Sequence, residues 1–183
     1  KRQAIILAIG LVLFFAVVKY PRAARTSGGG FSLRTLFATG FTWRMSWYYL
    51  LVAVYVSAEI GVAAWIVEYL QQVKGFDIGA SSLYLSLFFA AIMVGRLLGS
   101  FFVERIGYLT VMLIASVAAI VTLSVGIFGP PALTFMLPLT GLFFSIMFPT
   151  ATASVSALHV GNMGAILGVL FAFGGVGGAM GPW

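Results

Sequence analysis

Between Met45 and Leu70 the chain carries two charged residues, Glu59 and Glu68, in an otherwise apolar run. Five further apolar runs follow the same plan, at Ala4–Tyr20, Ser81–Val103, Leu109–Phe128, Ala132–Leu158 and Met163–Trp183. Runs this long and this empty of charge constrain the fold more than any other feature. A helix needs about 20 apolar residues to cross a hydrocarbon core of about 30 Å. A barrel strand needs only about 9–11, with alternating polarity. The runs therefore predict transmembrane helices, the first at the short limit and the others long enough to cross with some tilt. Composition agrees: 8% of residues are charged, against about 25% in soluble domains, and mean hydropathy is +1.12. The expected fold class is all-α, a polytopic transmembrane helix bundle in a lipid bilayer.

Several function classes fall away. There is no cysteine, so disulfides and thiolate metal sites are excluded. A lone histidine, His159, excludes a multi-histidine metal cluster. No cofactor motif is present, and no nucleophile–base pair suggests an enzyme. GGVGG at 174–178 lacks the strand and the Lys-Ser/Thr of a phosphate loop. The net charge of +6 does not point to nucleic acid, because the bases cluster between apolar spans.

The connections set the orientation. Residues 19–44 hold Lys19, Arg22, Arg25, Arg34 and Arg44 with no acid, together with Pro21 and a flexible SGGG. Alternate links share a side, so 19–44, 104–108 and 159–162 lie together and hold most of the bases. The positive-inside bias makes that side cytoplasmic and turns 71–80 and 129–131 outward. Lys1 and Arg2 oppose this scheme. Starting at Lys1 and stopping in GGAMGPW, the chain reads as a piece of a longer protein. The expected organisation is a partial span at 1–20, a cytoplasmic basic connector at 21–44 and a helix bundle at 45–183.

Four features carry functional expectations. Glu59 lies 14 residues after Met45, about 21 Å along a helix. An ionisable group at that depth is unfavourable by about 2.5–3.5 kcal/mol on insertion scales. It should therefore face the bundle interior or a wet cavity. Tyr48, Tyr55 and Glu59 share one helix face at spacings of seven and four, giving a polar-aromatic stripe that suits a sugar. Trp65 lies about 120° from Glu59 around the helix and serves a neighbouring face or the outer interface. Pro138 and Pro149 each remove a backbone donor and predict kinks in the fifth run, as packing features or as hinges beside a cavity. Glycines four apart in the last run, 164/168, 174/178 and 177/181, predict a smooth strip for close helix packing. Asn162 reads as a helix cap and His159 as an ordinary polar loop residue.

GRLLGSFFVERIGYLT at 95–110 is a short hairpin between two spans. Arg96, Glu104 and Arg105 form a charge cluster at the membrane edge, and Gly107 supplies a tight turn. The cluster is either an ordinary basic loop or a latch between helices. This stretch resembles the loop signature of the major facilitator superfamily, G-x-x-x-D-R-x-G-R. Glu104 stands at the Asp, Arg105 at the Arg and Gly107 at the Gly, while Ser100 and Tyr108 depart from the pattern. The resemblance implies spans six to eleven of a twelve-span fold, with a missing N-terminal half supplying the other cavity wall. YVSAEIGVAAWIVEYL, GRLLG at 95–99 and the Phe-Pro at 148–149 are similar to the fucose:proton symporter branch of sugar transporters. That resemblance implies a secondary active transporter in the plasma or inner membrane, moving a small polar solute with protons by alternating access. It also implies cavity-lining roles for Ser145 and Thr150. The alternatives are a proton-coupled drug or metabolite exporter and a non-transporting membrane scaffold or receptor.

Overall fold

The computed structural model describes residues 40–158 and 163–183, without the side chains of 100–102 and 104. The first run, most of the basic connector, His159, Asn162 and the Glu104 side chain lie outside the described residues. Among those described, the chain is helical throughout: α1 (Trp43–Gln72), α2 (Ile78–Ile106), α3 (Tyr108–Phe128), a 3₁₀ turn (Pro131–Leu133), α4 (Met136–Leu158) and α5 (Met163–Met180). Each of the five expected apolar runs after the connector becomes a helix long and apolar enough to cross a membrane.

Local chemistry sets the helix ends. Thr42 caps α1 by accepting from the Met45 N–H at 3.4 Å. Asp77 caps α2, its Oδ2 accepting from the Gly79 and Ala80 N–H groups at 2.8 and 3.1 Å. Gly107 joins α2 to α3 at φ +94°, a conformation that side chains disfavour, which explains glycine at this point of the hairpin. Pro138 does not kink α4, correcting the expectation from sequence. It falls in the first turn, where an N–H has no carbonyl of the same helix to reach. Pro149 is inside α4 and removes the N–H that would bond the Ser145 carbonyl.

The helices meet in a defined pattern. α4 is the centre, packed most extensively against α2 and α3, while α1 packs most extensively against α5. The core between them holds Met45, Tyr49, Val52, Phe88, Ala151, Val155, Ile166 and Leu170, all nearly inaccessible. The buried face of α1 runs through Met45, Tyr48, Val52, Tyr55, Glu59 and Ile66. Steps of three and four residues keep those positions on one stripe.

The two ends of the bundle match the alternation of links. At one end Lys74 donates to the Gly129 carbonyl at 2.9 Å, and the Tyr69 hydroxyl donates to the Ile127 carbonyl at 2.7 Å. Turns 71–80 and 129–131 therefore meet. At the other end Arg44, Gly107, Tyr108 and Leu158 line one cleft.

Candidate functional site

Glu59 is the centre of the candidate site. It sits 16 residues into α1, about 24 Å along its axis, and is only 9% exposed. Tyr55, one turn earlier, lies on the same buried stripe of α1 as Glu59. Its carboxyl oxygen Oε2 is buried with no hydrogen-bond partner among the described residues. A buried acceptor left unpaired is unfavourable by about 1–3 kcal/mol, and more if charged. Such an oxygen calls for a partner outside the described residues.

Arg96, expected to join the loop charges at 104–108, is carried by α2. It lies within the apolar window Ile78–Gly99 of α2, ten residues or about 15 Å of helix before Ile106. The register is fixed by neighbours. Gly95 is seated against Ser145 and the Leu142 carbonyl of α4. The next α4 residue back from Ser145, Phe144, packs on the Tyr55 ring with centroids 6.3 Å apart. Arg96 is therefore near the level of Tyr55. The Arg96 side chain is exposed on the bundle surface. An arginine at membrane depth faces protein or water, not lipid, so this surface of α2 is the one turned to a cavity. Arg105 and Gly107 remain at the helix end, both exposed.

The other expected site residues are distributed. Tyr48 is buried and its hydroxyl meets the Ser154 Oγ of α4 at 2.6 Å, with either oxygen able to donate. This bond joins α1 to α4 near the Arg105 end. Either Tyr48→Phe or Ser154→Ala should lower stability by about 1 kcal/mol, and the double variant by less than the sum. Denaturation midpoints of the four proteins in detergent would measure this. Additive losses would mean the two hydroxyls do not act as a pair.

Three candidates fall away from Glu59. Trp65 is half exposed and its indole N–H donates to the Pro182 carbonyl at 2.9 Å, tying α1 to the turn after α5. Ser145 is fully buried against α2, its hydroxyl donating to the Leu142 carbonyl at 2.6 Å. Thr150 is 2% exposed with an unpartnered hydroxyl, but it lines none of the clefts described here. Glu68, at the Lys74 end, accepts from Gln72 at 2.6 Å and is exposed, the ordinary solvated reading.

A groove runs beside α1, walled by α3 and floored by α4. Its clefts measure about 740 Å³ at Tyr48, 470 Å³ at Tyr55 and 220 Å³ at Trp65. The middle cleft is lined by Leu50, Leu51, Val54, Ala119 and Ile120, with little polar surface. It offers almost no hydrogen bonds to a polar solute.

These features define a polytopic membrane protein with a buried carboxyl inside one of its helices. Residues 3–182 match the model of the Major Facilitator Superfamily, and the chain belongs to that family. Two curated relatives from different strains of Helicobacter pylori are each 32% identical to it over 131 residues, covering 70% of this chain and 31% of theirs. Both are named "Putative glucose/galactose transporter". The chain thus spans about a third of the length of the curated relatives it matches. No solved structure matches it.

Proposed function

We propose that this chain is the C-terminal half of a secondary active transporter that moves a hexose of the glucose or galactose type together with protons. Alternating access around a site near the bilayer midplane is the means. The observation that carries the reading is Glu59: a buried carboxyl at membrane depth, on one stripe with Tyr55 and with one oxygen unpartnered among the described residues. A group of this kind can take a proton on one side of the membrane and release it on the other. The names of the two relatives support a sugar as cargo over a drug or metabolite. The Arg105 end faces the cytoplasm, in line with the basic residues gathered before α1.

Radiolabelled glucose and galactose uptake into vesicles carrying the whole transporter tests this. The expected result is accumulation above equilibrium that a protonophore abolishes. Dye extrusion without sugar uptake would establish the exporter instead. Sugar accumulation indifferent to the protonophore would remove proton coupling.

A further inference from the structure

α2 presents two exposed arcs of different chemistry. Ser82, Ser86, Phe89, Met93 and Arg96 fall within about 80° of one another around the helix, and all five are exposed. About 120° further round lies a second exposed arc of Leu83, Leu87 and Val94. The first arc carries two hydroxyls, an aromatic ring and a guanidinium, while the second is aliphatic. An arginine at membrane depth faces protein or water, so the first arc looks into a wet space and the second suits lipid tails. Phe89 lies near the depth of Glu59. Gly95 is level with Ser145 and Tyr55 with Phe144. Counting six residues from Gly95 and four from Tyr55 toward the Lys74 end brings Phe89 and Glu59 within about 3 Å of one level. A run of rings crosses the bundle at this height, from Tyr55 to Phe144 to Phe88 to Phe89, with centroids 6.3, 6.4 and 5.7 Å apart.

We propose that Phe89 is the platform on which the apolar face of the hexose ring rests, with the Ser86 hydroxyl beside it for the sugar's own hydroxyls. A hexose needs both kinds of partner, because its ring carries C–H faces and a polar rim. Phe89 is the exposed ring of the run, and aromatic faces suit such C–H surfaces. Ser86 lies one turn away on the same stripe and donates to the Ser82 carbonyl at 3.0 Å, so its lone pairs remain to accept from a solute. The platform also sets specificity. The axial hydroxyl at C4 of galactose leaves the hydrogens of C3, C4 and C5 on one face, a larger apolar patch than glucose offers. Phe89 therefore favours galactose. The platform rests on the hexose reading above, but the two-faced character of α2 does not.

The test places single cysteines in the whole transporter, otherwise free of cysteine, at S86C, F89C and M93C and at L83C, L87C and V94C. Membranes are treated with a charged methanethiosulfonate, which reacts with thiols that meet water. The first three should react about tenfold faster than the second three, and galactose should slow labelling of F89C several-fold. Equal rates on both arcs would overturn the proposal. Should F89C fail to reach the membrane, protection of S86C and M93C by galactose decides in its place. Uptake supplies the specificity readout. F89L should raise the KM for galactose about tenfold and that for glucose by less, with the maximal rate little changed, and F89W should keep the parent's preference. Equal losses for the two sugars would refute the platform. Hexose uptake by the parent protein without protection of the stripe removes the platform and keeps the transport reading. Absence of hexose uptake, with the stripe still labelled fast, removes the hexose reading and the platform with it, and keeps only the two-faced α2.

Discussion

Glu59→Gln should leave a transporter that exchanges solute but no longer concentrates it. Glutamine keeps the size of the side chain, so the fold and the α1–α2 packing are retained. What it loses is the ability to bind and release a proton. With one proton carried per solute, a pH gradient of about one unit supports about tenfold accumulation, since each tenfold ratio corresponds to about 1.4 kcal/mol. The variant should fall to a ratio of about one under the same gradient. Counterflow, with labelled solute outside and unlabelled solute inside, should persist because it needs no net proton movement. Measuring both in the same vesicles is decisive. If the variant still accumulates solute and a protonophore still abolishes that accumulation, Glu59 does not carry the coupling proton. If counterflow is lost as well, Glu59 contacts the solute or holds the site together, and the carboxyl has a binding role.

The face of α1 that holds Glu59 was readable from sequence because a single helix fixes it. Spacings of seven and four place Tyr48, Tyr55 and Glu59 on one stripe whatever lies opposite. The hairpin at Gly107 was readable for a similar reason, since a tight turn between two long apolar runs calls for glycine. What sits across from a helix is a different matter. Arg96 stands in the apolar stretch of α2, and no local pattern says which neighbour it faces. Ser145 was expected to line a cavity, yet its azimuth on α4 is decided by Gly95 of α2, which no local pattern reveals. Trp65 is bonded to Pro182, more than a hundred residues away. Pro138 misled because apolar residues before Met136 hid the true start of α4.

The glycines of α5 divide in the same way, and they yield the largest expected loss of stability. The sequence predicted one smooth strip from Gly164 to Gly181. Gly164, Gly168 and Gly175 instead face open space, where an added methyl would meet nothing within 4 Å. Gly177 and Gly181 lie against the backbone of α1, where a methyl would drive into the carbonyls of Ala53 and Ser57 respectively. From the other side, a methyl on Gly61 would sit 2.8 Å from the Gly181 carbonyl. In a bilayer there is no hydrophobic force pressing helices together, so close packing of this kind supplies the attraction. Neither backbone can yield as a flexible side chain could. Gly177→Ala should therefore force α1 and α5 apart and destabilise the protein by about 1–3 kcal/mol, in the range for overpacking. Gly168→Ala, on the same helix, should be neutral or slightly stabilising, because alanine is favoured over glycine in a helix by about 1 kcal/mol. Thermal unfolding of the two variants in detergent compares them directly. The expected outcome is a lower midpoint for Gly177→Ala beside an unchanged or raised one for Gly168→Ala. Equal midpoints would mean that α5 is not held against α1 through these glycines.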